Sequence, residues 1–89
     1  MKQQTIDSIQ RYIKSGLRTG DFLYGVLSNN LLMASSHADE ENAKDLIQIV
    51  RYVFNECPAG SWGSSKKVDD WCAQGGMEGH LEKISVCSV

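Results

Sequence analysis

The sequence predicts an all-α fold: a single small domain of about five helices with an irregular C-terminal region. Three observations predict it. Apolar residues recur at helical spacing through most of the chain up to Trp71. Asn, Asp, Ser and Gly stand at the ends of those runs, where helix caps belong. The 89 residues, 42% of them hydrophobic, suffice for one domain with one modest core. Within that domain the expected division is a helical core over 1–58 and a loop, short helix and tail over 59–89.

The first helix is expected to start at Thr5 as N-cap. Ile6, Ile9, Tyr12 and Ile13 then share one face, and Gln10, Arg11 and Lys14 the other. Gly16 can adopt the left-handed conformation that ends a helix, with Leu17 packing back. A second helix follows a cap at Thr19 or Asp21 and carries Phe22, Leu23, Val26 and Leu27 as its buried stripe. Asn29-Asn30 interrupts it and caps a third, with Leu31, Leu32, Ala34 and Ser35, that ends near His37.

The fourth helix has the longest period. Asp39 caps it, and Glu40 and Glu41 place negative charge at its positive end. Ala43, Leu46, Ile47, Val50, Val53 and Phe54 form the expected core face, with Lys44, Gln48, Arg51 and Asn55 opposite. A strand over 46–54 competes, because the run is rich in Ile and Val; the 3.6-residue period decides for helix. Pro58 stops it. The loop AGSWGSS then leads to a short helix capped by Ser64 or Ser65, with Val68, Trp71 and Cys72 on one face and Gly75-Gly76 at its end. The tail beyond has apolar residues at Met77, Leu81, Ile84, Val86 and Val89 without a long period.

Nine basic and eleven acidic residues give a net charge of −2, so bulk attraction to nucleic acid or an anionic membrane is not expected. No apolar run reaches the roughly 18 residues a bilayer span needs. The opening MKQQTIDSIQ lacks the apolar core of a signal peptide, so the cytosol is the expected compartment and reduced thiols the expected state. Three cysteines cannot all pair within one chain.

Cys57, Cys72, His80 and Cys87 fall within 31 residues, and three thiolates with one imidazole make a complete tetrahedral set for structural zinc. The intervening lengths of 14, 7 and 6 residues include no CxxC knuckle, so free thiols beside a surface histidine are the alternative. His37 could take the place of His80. A nucleophilic set of Cys72, His80 and Asp69 or Asp70 lacks any local signature, and no catalytic residues are expected. No Gly-rich phosphate loop is present. A helix-turn-helix reading of the second and third helices fails for want of basic or amide side chains on LLMASSHA. Lys66 and Lys67 oppose the dipole of the last helix, and with Trp62 they suit a partner-binding surface. The alternative there is a solvated turn with Trp62 packed into the core.

The string Arg11-Tyr12-Ile13, Gly16, Gly20, Phe22-Leu23, Val26-Leu27, Asn29, Leu31, Ala34, Ala38-Asp39, Asn42, Ile49-Val50, Asn55, Pro58, Trp62-Gly63-Ser64, Val68 and Trp71 resembles a family of short proteins encoded by phages and other mobile elements. The resemblance covers roughly residues 9–71. It implies a compact helical fold, carries no catalytic residues, and its members have mostly no assigned activity. Residues 72–89 depart from the pattern. A small helical phage protein with a zinc-stapled tail is similar to the type II anti-CRISPR proteins, which implies a host protein, Cas9, as partner and interference with its DNA interaction as function. A small nucleic-acid-associated regulator, using Lys66, Lys67 and the arginines, is the alternative.

Overall fold

Helix α1 (Gln3–Ser15) starts two residues before Thr5, with Lys2 at the N-cap. Thr5 is therefore not the cap; its side chain is buried inside the first turn. Gln3 and Gln4 are good helix formers, and the Gln3 amide donates to Asp7 at 2.9 Å, which extends the helix upstream. Its end is where the sequence puts it. Gly16 is left-handed (φ 72°) and its N–H donates to the Tyr12 carbonyl at 2.9 Å.

The computed structural model describes residues 1–79, which fold as helices and connecting turns. Helix α2 (Asp21–Leu27) is preceded by Gly20 rather than by a capping side chain, so neither Thr19 nor Asp21 serves as N-cap. Asp21 instead occupies the first turn, where its charge meets the positive end of the helix. Asn29 is left-handed (φ 61°), and Asn30 caps α3 (Leu31–His37) by accepting from the Met33 N–H at 3.0 Å. α2 and α3 pack closely at Gly25, where an added Cβ would stand 2.5 Å from the Ala34 nitrogen.

The expected fourth helix is two. Asp39 accepts from the Asn42 N–H at 2.7 Å and caps α4 (Glu40–Lys44); the chain then bends at Asp45 into α5 (Leu46–Glu56). Aspartate is a poor interior helix former, and here it marks the bend. Hydrogen bonding continues across it, from the Asp45 N–H to Glu41 and from the Ile49 N–H to Asp45.

The core face of α5 also differs from expectation. Ile49 (0% exposed) and Val53 (4%) are its buried residues, whereas Ile47 (64%), Val50 (44%) and Phe54 (69%) face outward. Leu46, Ile47, Ile49, Val50, Tyr52, Val53 and Phe54 cover more than half the helix circumference, and the core takes the edge centred on Ile49 and Val53.

Cys57 ends α5, and a 3-10 turn (Ala59–Ser61) leads to α6 (Ser65–Gln74), capped by Ser64 accepting from the Lys67 N–H at 3.2 Å. Val68 and Trp71 of α6 join Ile9, Tyr12, Phe22, Leu23, Leu27, Ala34, Ile49, Val53 and Cys57 in one core. The Tyr12 hydroxyl donates to the Ser61 carbonyl at 2.6 Å, and the Gly63 N–H donates to Leu27 at 2.7 Å, which pins the 58–64 segment. Gly75 ends α6 in the left-handed region (φ 83°), and Gly76 lies backbone to backbone against Gly16. Among the described residues no helix is long and apolar enough to cross a membrane.

Candidate functional site

The outward edge of α5 and the start of α3 together form an apolar surface. Leu31 (69% exposed) shares this surface with Val50 and Phe54, while Leu32 (79%) and Ile47 (64%) are also exposed on the same two helices. A cleft of about 130 Å³ opens between the two helices, lined among others by Leu31, Ala34, Leu46, Val50, Phe54 and Trp62, with Asn29 and Asn30 at its border. No charged side chain lines it. Sequence reasoning missed this surface because it placed Ile47, Val50 and Phe54 on the core face with Leu46 and Val53, and left Ile49 off it, within an apolar arc that runs from Leu46 to Phe54. The signal was present in the arc's width, which exceeds what one neighbouring layer can cover.

Trp62 is half-buried, which lies between its two expected placements. Its indole N–H donates to the Cys57 carbonyl at 3.3 Å, and its ring stands 5.8 Å from that of Phe54, tilted by 55°. The indole thus has a satisfied donor and an aromatic neighbour, an arrangement suited to a contact residue. Lys66 is exposed and paired with Asp70 at 2.9 Å, which raises its pKa above the ordinary lysine value. Lys67 is exposed in the same first turn. Neither lysine lines the apolar cleft, so the structure joins Trp62 to Phe54 rather than to the lysines.

Cys57 is buried and lines a separate cleft between α1 and α5 with Ile9, Ile13, Tyr52 and Met77. Burial first, then Glu56, pushes its thiol up to about 11. Cys72 is half-buried and its thiol is also raised, chiefly by burial, with Arg18 opposing. His80 and Cys87 lie outside the described residues. His37 lines a polar cleft with Lys2, Thr5, Asp21 and Asp39, a different cleft from that of Cys57. Among the described residues no three metal-ligating side chains converge.

Both carboxylates near Cys72 have partners within the chain. Asp69 accepts from the Tyr24 hydroxyl at 3.1 Å, under an Arg18 guanidinium that stacks 4.6 Å from the Tyr24 ring. Asp70 is held by Lys66.

The described residues therefore define a small all-α globule whose most distinctive surface is an uncharged apolar cleft flanked by an aromatic pair. Comparison with protein-family models, with curated proteins and with solved structures finds no match in any of the three.

Proposed function

We propose that the chain is a small inhibitor encoded by a phage or other mobile element, which binds a host defence protein, Cas9 in the first instance, and blocks its interaction with DNA. The observation that carries the binding reading is exposed Phe54 with half-buried Trp62 against it. Phe54 is 69% exposed, Trp62 lies against it, and the cleft beside them carries no charge. Exposed aromatics bordering an apolar patch suit recognition of another protein, whereas phosphate recognition needs basic side chains in that place. Lys66 and Lys67 would form the polar rim. The resemblance to short phage proteins supplies the choice of host partner.

Purified chain added to type II Cas9 and a target duplex tests this. The expected result is stoichiometric loss of cleavage and co-elution with Cas9, both weakened by Trp62→Ala. Failure to bind Cas9 with cleavage unchanged would overturn the choice of partner. Direct binding to duplex DNA that falls steeply with salt would favour the nucleic-acid regulator instead.

A structural zinc on Cys57, Cys72, His80 and Cys87 belongs to the same proposal. It requires both described thiols to ionise, against the burial that raises them. Elemental analysis decides it: about one zinc per chain is expected for one tetrahedral shell, and metal-free protein purified without chelator would leave ordinary free thiols.

A further inference from the structure

Helix α4 has five residues and buries none of them. So short a helix has too few hydrogen bonds to hold itself together without a packed face. Two contacts of Asp39 stand in for that packing. One carboxylate oxygen accepts from the Asn42 N–H at 2.7 Å and caps the helix. The other lies 2.9 Å from the ammonium of Lys2, the N-cap residue of α1. The same ammonium stands 3.5 Å from Glu41. A single carboxylate thus both starts α4 and ties it to α1.

We propose that α4 is a strap latched by Lys2, which opens as one unit while the rest of the fold stays closed. Packing sets its two ends. Ala38 before it and Leu46 after it are partly buried against the core, and the chain bends at Asp45 between α4 and α5. Charge makes Lys2 the latch. Asp39, Glu40 and Glu41 repel one another along the chain, and the Lys2 cation offsets that repulsion while holding Asp39 where it caps. Losing the ion pair therefore loosens the cap as well, so latch and helix give way together. An exposed pair is weak and is screened by salt, which leaves the closed strap marginal and sensitive to ionic strength. Lys2, Asp39 and Asn42 line the polar cleft together with Thr5, Asp21 and His37. Release of α4 opens one wall of that cleft.

This inference is independent of the host partner, and its test needs only the purified full chain. Hydrogen exchange followed by NMR reads the Ala43 and Asp45 amides, which donate to the Asp39 and Glu41 carbonyls at 2.9 and 3.1 Å while α4 is helical. Lys2→Met should speed exchange at both about two- to fivefold, the size of an exposed ion pair. Lys2 makes no side-chain capping bond to α1, so the start of that helix is left intact. Asp39→Ala removes cap and latch together and should speed exchange about tenfold or more. Salt at about 1 M should act on the wild type as Lys2→Met does, and add little in that variant. Lys2→Arg should keep the wild-type rates. The Val53 amide, in the buried part of α5, should not change in any of these. Equal exchange at Ala43 and Asp45 in wild type and Lys2→Met, with no response to salt, would overturn the proposal. So would an increase shared by Val53, because α4 would then open only with the whole fold.

Discussion

The indole N–H of Trp71 donates to the main-chain carbonyl of Tyr12 at 3.0 Å, across 59 residues of sequence. That carbonyl already receives the Gly16 N–H, so one oxygen at the end of α1 both closes its own helix and anchors α6. The Tyr12 hydroxyl reaches the other way, to Ser61, so a single buried residue connects three segments.

Removing either polar atom should be costly. Tyr12→Phe keeps its buried ring and Trp71→Phe replaces the indole by a smaller one, and each loses one buried hydrogen bond. The expected loss is about 1–3 kcal/mol apiece. Urea unfolding should register it as a lower midpoint with an unchanged slope. Wild-type midpoints in both variants would show that water or a shifted neighbour replaces the lost partner.

The two isoleucines of α5 should behave oppositely. Ile49 is 0% exposed, so Ile49→Ala should cost about 2–5 kcal/mol. Ile47 is 64% exposed, and Ile47→Ala should change the stability of the single chain by about 0.5 kcal/mol or less. Measured at low concentration, to keep any self-association out, equal losses would contradict the placement of the core on the Ile49–Val53 edge.

That contrast also shows what the sequence made legible. The caps at Asn30, Asp39 and Ser64 and the stops at Gly16 and Gly75 were readable, because a cap is short-range chemistry between a side chain and the next turn. Thr5 was misread because the same local rule ignores how well Gln3 and Gln4 extend a helix upstream. The face of α5 was misread for a different reason. When apolar residues cover more than half of a helix, periodicity finds the helix but cannot choose which part of the arc meets the core. That choice depends on where α1, α2 and α6 lie, which is tertiary information. Trp62 and Lys67 were visible as unusual residues, but the partnership of Trp62 with Phe54 emerges only when α5 turns outward.

Gly76 should not accept a side chain. Its φ is 69°, and a Cβ there would stand 2.5 Å from the Gly16 nitrogen and 2.7 Å from the Ile13 carbonyl. Gly76→Ala should therefore destabilise the fold by more than about 1 kcal/mol. Gly60→Ala is the control, since a Cβ there meets nothing within 4 Å. Thermal unfolding of the two variants should separate them; a Gly76→Ala protein melting with the wild type would remove the close glycine contact.

Alkaline pH should weaken the fold through Cys57. Its thiol rises from an ordinary 9.0 to about 11 in the folded chain because burial disfavours the thiolate. The folded state thus holds its proton more tightly than the unfolded one. The resulting stability is complete below pH about 9 and is lost as pH rises toward about 11. Tyr12, raised chiefly by its own burial above an ordinary 10.0, adds in the same direction at higher pH. Urea midpoints of metal-free chain taken from pH 8 upward should fall, and Cys57→Ala should flatten the first part of that decline. A wild-type midpoint constant to pH 11 would mean that Cys57 ionises as it does in water.

The close approach of Gly25 to Ala34 also bears on the order of assembly. α2 and α3 are joined by only three residues, and their packing is the most extensive between any two helices of the described chain. Closing so short a link costs little chain entropy, so this hairpin can form before any distant contact is made. The Tyr12–Trp71 contact must instead close a loop of 59 residues, and it becomes favourable only once a surface exists for both helices to meet on. α2–α3 is thereby the natural nucleus of the fold, and α1 and α6 are its late-docking cover.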